Sequence, residues 1–251
     1  KMQIHTIPQE GLLINNHAMN SLSSFGKWAE RNTVPDDSDP QHYDYATLFT
    51  RYDICKDKNQ PCDTLGVTNV GGMCQFPNSV SICEDNGLMV GKTLAHETGH
   101  SLGMNHDLSP FCGDSKKMMS LHPEGSDAYE WSKCSRMFLK QFLDSSDSRC
   151  LEDKPTSKQA INVQAFSDPG LLYSADQQCA LSYGDGAKYC KDKSAEQMCA
   201  QLWCSIPSGE GKTCRSLTQP LADGTTCGDQ KWCKRGKCVA KYTESPDAID
   251  G

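Results

Sequence analysis

The sequence has no run of basic residues. Lys and Arg number 25 against 32 Asp and Glu, a formal net charge of −7 with the cations scattered, so nucleic acid is not an expected partner. No apolar stretch approaches the roughly eighteen residues that a membrane-crossing helix needs. Asn-X-Ser/Thr sites are missing, so N-glycosylation is not expected, and Arg235-Gly236-Lys237 is not an Arg-Gly-Asp sequence, so integrin binding is not expected either. Lys1 opens no apolar signal segment, and the chain is read as a fragment of a longer product.

Cysteine, by contrast, is plentiful. Fifteen cysteines are too many for a reducing cytosol and point to a secreted, disulfide-bonded protein. Their distribution suggests one larger domain and a smaller one. Seven fall before Pro155, in a stretch long enough to bury a sizeable core. Eight lie between Cys179 and Cys238, among many glycines and little apolar sequence, where disulfides must stand in for a core. The polar stretch from Asp153 to Ser167, containing Pro155, reads as a linker.

The chemistry concentrates in Thr93 to Asp107, TLAHETGHSLGMNHD. His96 and His100 are four apart, so on a helix both imidazoles lie on one face and reach one ion. Glu97, between them, projects beside that ion and suits a general base. A continuing helix would carry His106 away, so the chain must turn back after Leu102; Gly103 permits the left-handed conformation that ends the helix and brings His106 round. Three imidazoles with a fourth position left for water describe catalytic zinc. Val90, Leu94 and Leu102 are expected to form the buried side of the helix, with Gly91 and Gly99 marking close neighbours.

Elsewhere the periodicity predicts a strand at Met2 to Thr6, a helix over Asn20 to Glu30 with Leu22, Phe25 and Trp28 on one face, and a strand over Tyr45 to Arg51. Ser132 is the expected N-cap of a helix ending at Leu143, with Cys134, Phe138 and Phe142 inward. Between these, Asp36, Asp37, Asp39 and Asp44 crowd hard oxygen ligands together, as calcium or a solvated acidic loop would use them.

HETGHSLGMNHD has the HExxHxxGxxH form of the metzincin metalloproteases, and its trailing aspartate resembles the adamalysin (reprolysin) branch. KKMMSLHP resembles the methionine-bearing turn that lies beneath the zinc, with Met119 the better match. WSKCSRMFL, GLLYSADQQC, MCAQLWC and ADGTTCGDQKWCKRGKC resemble the ADAM family with thrombospondin motifs (ADAMTS).

The resemblance implies an α/β metzincin catalytic domain, a twisted mixed sheet with helices lacking its first strand and helix, over residues 1–155. A linker (156–168), a small disulfide-rich, disintegrin-like cysteine-rich module (169–240) and a connection toward a thrombospondin type 1 repeat (241–251) would follow. It implies zinc on His96, His100 and His106, Glu97 as catalytic base, Asp107 and Met119 as structural support, and structural calcium on Asp37, Asp44, the Cys150 carbonyl and Asp153. The implied bridges are Cys55–Cys62, Cys74–Cys150, Cys112–Cys134, Cys179–Cys204, Cys190–Cys214, Cys199–Cys233 and Cys227–Cys238. A further family bridge would join positions matching Gly26 and Val80, absent here together. Cys83 is left over, free or bonded to a portion outside this chain.

By the same likeness DTLGVTNVGGMC is an edge strand that takes up an extended peptide. The expected function is a secreted zinc endopeptidase acting on extracellular or matrix proteins, with protein inhibitors of metalloproteases as further partners. The rival expectation is a non-catalytic fragment that binds proteins through the disintegrin-like module.

Overall fold

The computed structural model describes residues 11–39, 41–56, 62–113, 116–152, 167–208, 211–216 and 219–241. Its chain divides into two compact units, the first made of Lys1–Asp85, Val90–Pro123 and Glu130–Val163, the second of Asn86–Met89, Glu124–Tyr129 and Gln164–Gly251. The expected strand at Met2 to Thr6 lies outside the described residues.

In the first unit, α1 (Ala18–Asn32) starts where the His17 ring accepts from the Asn20 amide. It buries Leu22, Phe25 and Trp28, the face that three-residue spacing marks out. Against it lies a three-stranded sheet of β1 (Ala46–Thr50), β2 (Gly66–Thr68) and β3 (Val80–Glu84), in the order β1-β3-β2. β3 pairs parallel with β1 and antiparallel with β2, so it is central, and Val80 to Cys83 are all buried. The sheet and α1 share an apolar cluster of Ala18, Leu22, Phe25, Trp28, Ala29, Leu48, Ile54, Val80 and Ile82.

Gly26 is a buried position of α1. A Cβ built there would sit 2.2 Å from the Pro77 carbonyl oxygen, so α1 rests on backbone at that point. Cys83, on β3, is a free thiol that is fully buried. Disulfides join Cys55 to Cys62, Cys74 to Cys150 and Cys112 to Cys134.

Two further helices complete this unit, α2 (Val90–Ser101) and α3 (Lys133–Leu143). Ser132 caps α3 by accepting the Ser135 amide at 2.9 Å.

The second unit has short helices α4 (Pro169–Leu172), α5 (Ala175–Tyr183) and α6 (Ala195–Ala200). The latter two open on capping boxes, Ser174 with Gln177 and Ser194 with Gln197. Two small antiparallel sheets follow, β4 (Lys188–Tyr189), β5 (Cys204–Ser208) and β6 (Gly211–Arg215), then β7 (Thr226–Gly228), β8 (Lys231–Lys234) and β9 (Lys237–Ala240). Arg235-Gly236 is the two-residue turn between β8 and β9, both at positive φ, as a type I′ hairpin requires. Bridges Cys179–Cys204, Cys190–Cys214, Cys199–Cys233 and Cys227–Cys238 hold the unit.

Candidate metal centre

α2 carries His96 and His100 one turn apart, and the chain leaves the helix as glycine allows. Gly103 has φ +83° and donates to the His100 carbonyl, while Met104 donates to that of Gly99. This reversal brings His106 back. Its Nε2 lies 3.2 Å from that of His96 and 3.1 Å from that of His100.

The other ring nitrogens explain the convergence. His96 Nδ1 is 2.6 Å from the Met118 carbonyl and His100 Nδ1 2.7 Å from the Met104 carbonyl. A carbonyl can only accept, so each Nδ1 carries the proton and each Nε2 presents a lone pair inward. Burial, the largest influence on all three rings, lowers their pKa values, that of His96 to about 4, so they are neutral at pH 7. Two inward lone pairs and the Nε2 of a third neutral imidazole, all at hydrogen-bond distance, make a donor set that a single cation can share. The donor set therefore fits zinc, with backbone carbonyls holding two of its rings in the ligating tautomer.

Glu97 is 6% exposed, and burial pushes its carboxyl up to about 8. It lies against Gly66 of β2, where an added Cβ would meet Glu97 Cγ and Oε1 at 2.7 Å. Glycine at that strand position is what leaves room for the carboxylate.

Asp107 is buried behind the ligands. Its amide donates to the Met119 carbonyl at 2.9 Å, and its Oδ1 accepts from the Ser132 hydroxyl at 2.6 Å. The third histidine, the methionine turn and the cap of α3 are thus tied through one residue, its amide to the turn and its carboxylate to the cap. Met119 is fully buried, and its sulfur lies 2.7 Å from where a Cβ at Gly99 would be. Gly91 has nothing within 4 Å of such a Cβ, so only Gly99 marks a close neighbour. The buried positions of α2 are Glu97, Gly99 and Ser101, whereas Val90, Leu94 and Leu102 are half-buried. The expectation that these apolar residues form its buried side is corrected: methionine and tryptophan press on a face of small residues.

In the acidic loop, Asp37 and Asp44 come together around His42, whose Nε2 is 3.3 Å from an Oδ1 of each. Burial lowers the His42 pKa, but the Val34 carbonyl and the two carboxylates outweigh it and the net shift is upward. Cys150 is joined through its bridge to Cys74, whose amide donates to the Ser79 hydroxyl, which donates to the Asp44 carbonyl. Asp153 lies outside the described residues.

Two residues at these sites were missed from sequence, His42 and Lys92. The signal for Lys92 was its place four residues before His96; His42 had only its place between two aspartates.

Residues 7–155 match the model of the reprolysin (M12B) family zinc metalloproteases. The chain belongs to that family. Residues 169–239 match the ADAMTS cysteine-rich domain 2, so this reprolysin's second module is cysteine-rich. Four bridges around small sheets are the features it displays. Among similar proteins is mouse A disintegrin and metalloproteinase with thrombospondin motifs 7, 39% identical over 97% of this chain and 14% of its own length. Mouse A disintegrin and metalloproteinase with thrombospondin motifs 1 is 40% identical over 93% of this chain and 24% of its own length. The human member with motifs 6 is 38% identical over 100% of this chain and 23% of its own length. This reprolysin chain thus spans well under a third of the length of these relatives. No helix among the described residues is long and apolar enough to cross a membrane.

Proposed function

We propose that this chain is the catalytic part, with an adjoining module, of a secreted zinc endopeptidase that hydrolyses extracellular or matrix proteins. The observation that carries this reading is the convergence of three Nε2 atoms beside a desolvated carboxyl. Bound there by His96, His100 and His106, zinc supplies a Lewis acid that polarises a carbonyl and brings the pKa of water to about 7. A nearby cation also favours the ionised form of Glu97, which burial alone opposes. Glu97 then takes the proton of the attacking water and returns it to the amine that leaves.

Positioning falls to β2. Among the described residues it pairs only with β3, so its other edge offers backbone groups to an extended peptide, beside Glu97. Recognition by main-chain hydrogen bonds suits a polypeptide of loose sequence preference.

On this reading residues 1–155 are catalytic, 156–168 connect, 169–240 form the disintegrin-like cysteine-rich module and 241–251 lead onward. Structural calcium would be held by Asp37, Asp44, the Cys150 carbonyl and Asp153; the approach of Asp37 and Asp44 around His42 supports it. Asp107 and Met119 support the floor of the site, and protein inhibitors of metalloproteases are expected antagonists. The test is Glu97→Ala in the zinc-loaded chain. It should lose at least about a hundredfold in peptide turnover while keeping one zinc per chain; turnover close to that of the unaltered chain would remove Glu97 from the mechanism.

A further inference from the structure

We propose that Lys92 is a specificity-determining residue of the peptidase described above, selecting an acidic side chain on the substrate residue that follows the scissile bond. The inference rests on that peptidase reading for its substrate, but on separate observations for its chemistry.

Lys92 precedes His96 by four residues on α2, so it stands on the face that presents His96 and His100, one turn (about 5.4 Å) before His96 and two turns before His100. Its Nζ donates to the Pro123 carbonyl at 3.2 Å. Pro123 follows Met118, whose carbonyl holds the His96 ring, so the ammonium lies on the segment that walls the metal centre.

This cation is poorly compensated. Among the described residues no carboxylate pairs with it, and the Pro123 carbonyl is its hydrogen-bond acceptor. An ammonium has three donors, and burial brings this one down to about 8. A half-buried charge left without a counter-ion beside a reactive centre invites one from the ligand.

The direction of the substrate follows from β2. Gly66, at its start, lies against Thr93 and Glu97, whereas Gly71, beyond its end, donates to the His100 carbonyl. β2 therefore runs the same way as α2. A peptide added antiparallel, the more stable pairing, runs from the His100 end toward the Lys92 end. Residues after the scissile bond thus approach Lys92, and a carboxylate there would replace water on the two unused N–H groups.

The experiment uses the zinc-loaded chain and three peptide hydroxamates that differ only in carrying Glu, Gln or Lys at the position facing Lys92. Binding of these probes does not depend on turnover. The unaltered chain should prefer Glu to Gln by about tenfold or more, the range of a charge-assisted hydrogen bond. Lys92→Met should abolish that ratio and Lys92→Glu should reverse it in favour of Lys, with zinc content and melting temperature reporting the fold of each. Equal affinities of the unaltered chain for Glu and Gln probes would overturn the assignment, and so would an order unchanged in Lys92→Glu, which would reduce Lys92 to a tie between α2 and Pro123. Cleavage of the matching peptides is measured alongside. Hydroxamates bound with no peptide cleaved would sink the peptidase reading and leave the Lys92 ratio to decide the selectivity; a chain that binds none of the probes loses both.

Discussion

Cys83 shows how position decides what a side chain can do. On the central strand it is fully buried, and burial first, with the nearby Glu97 charge second, pushes its thiol up to about 12. Since the thiolate is the reactive form, native Cys83 should be inert at pH 8. Iodoacetamide should add nothing to the folded chain and one label per chain after unfolding without reductant; labelling of the folded chain would show an exposed thiol. Asp107 is the opposite case, a buried carboxylate whose value lies in its partners. Asp107→Ala removes the acceptor of the 2.6 Å bond from Ser132 and should cost about 1–3 kcal/mol, measured by denaturant unfolding. A loss below about 0.5 kcal/mol would mean that this link does not stabilise the floor of the site.

At the scale of the element, two glycines of one helix make a controlled comparison. A methyl at Gly99 would meet the Met119 sulfur at 2.7 Å and the Trp131 ring at 3.0 Å, both packed, so Gly99→Ala should destabilise by about 1–3 kcal/mol. Gly91→Ala enters open space and should stabilise by up to about 1 kcal/mol, because alanine is the better helix former. Equal effects on the melting temperature would mean that α2 does not pack on the methionine turn as described. The pair also shows what was legible in the sequence. α1, β1, the glycine stop of α2 and the Ser132 cap of α3 stand close to where periodicity and capping chemistry place them, because those signals are local. The buried face of α2 was not legible, since it is set by Met119 and Trp131 from distant segments and uses small residues instead of an apolar stripe. β3 gave little periodic signal because it is buried along nearly its whole length, and Lys92 gained meaning only once Pro123 was seen against it.

For the whole molecule, the two units differ in what excludes water from them. The cluster beneath α1 and the sheet of the first unit contains no cysteine among its nine buried members, so apolar contact holds it. In the second unit, five of the eight buried members of the cluster are cysteines: Cys179, Cys199, Cys204, Cys227 and Cys233. Each belongs to a bridge, and a bridge is typically worth about 2–4 kcal/mol through the freedom it denies the unfolded chain. Reduction should therefore act unequally. Under a reductant titration without denaturant, followed by hydrogen exchange and mass spectrometry, peptides between Cys179 and Cys238 should lose their protection first. Peptides from α1 and β3 should keep theirs, since Leu22, Phe25, Val80 and Ile82 remain packed without any bridge between them. Loss of protection in α1 and β3 at the same reductant concentration would contradict the assignment of the first core to apolar packing and of the second to its disulfides.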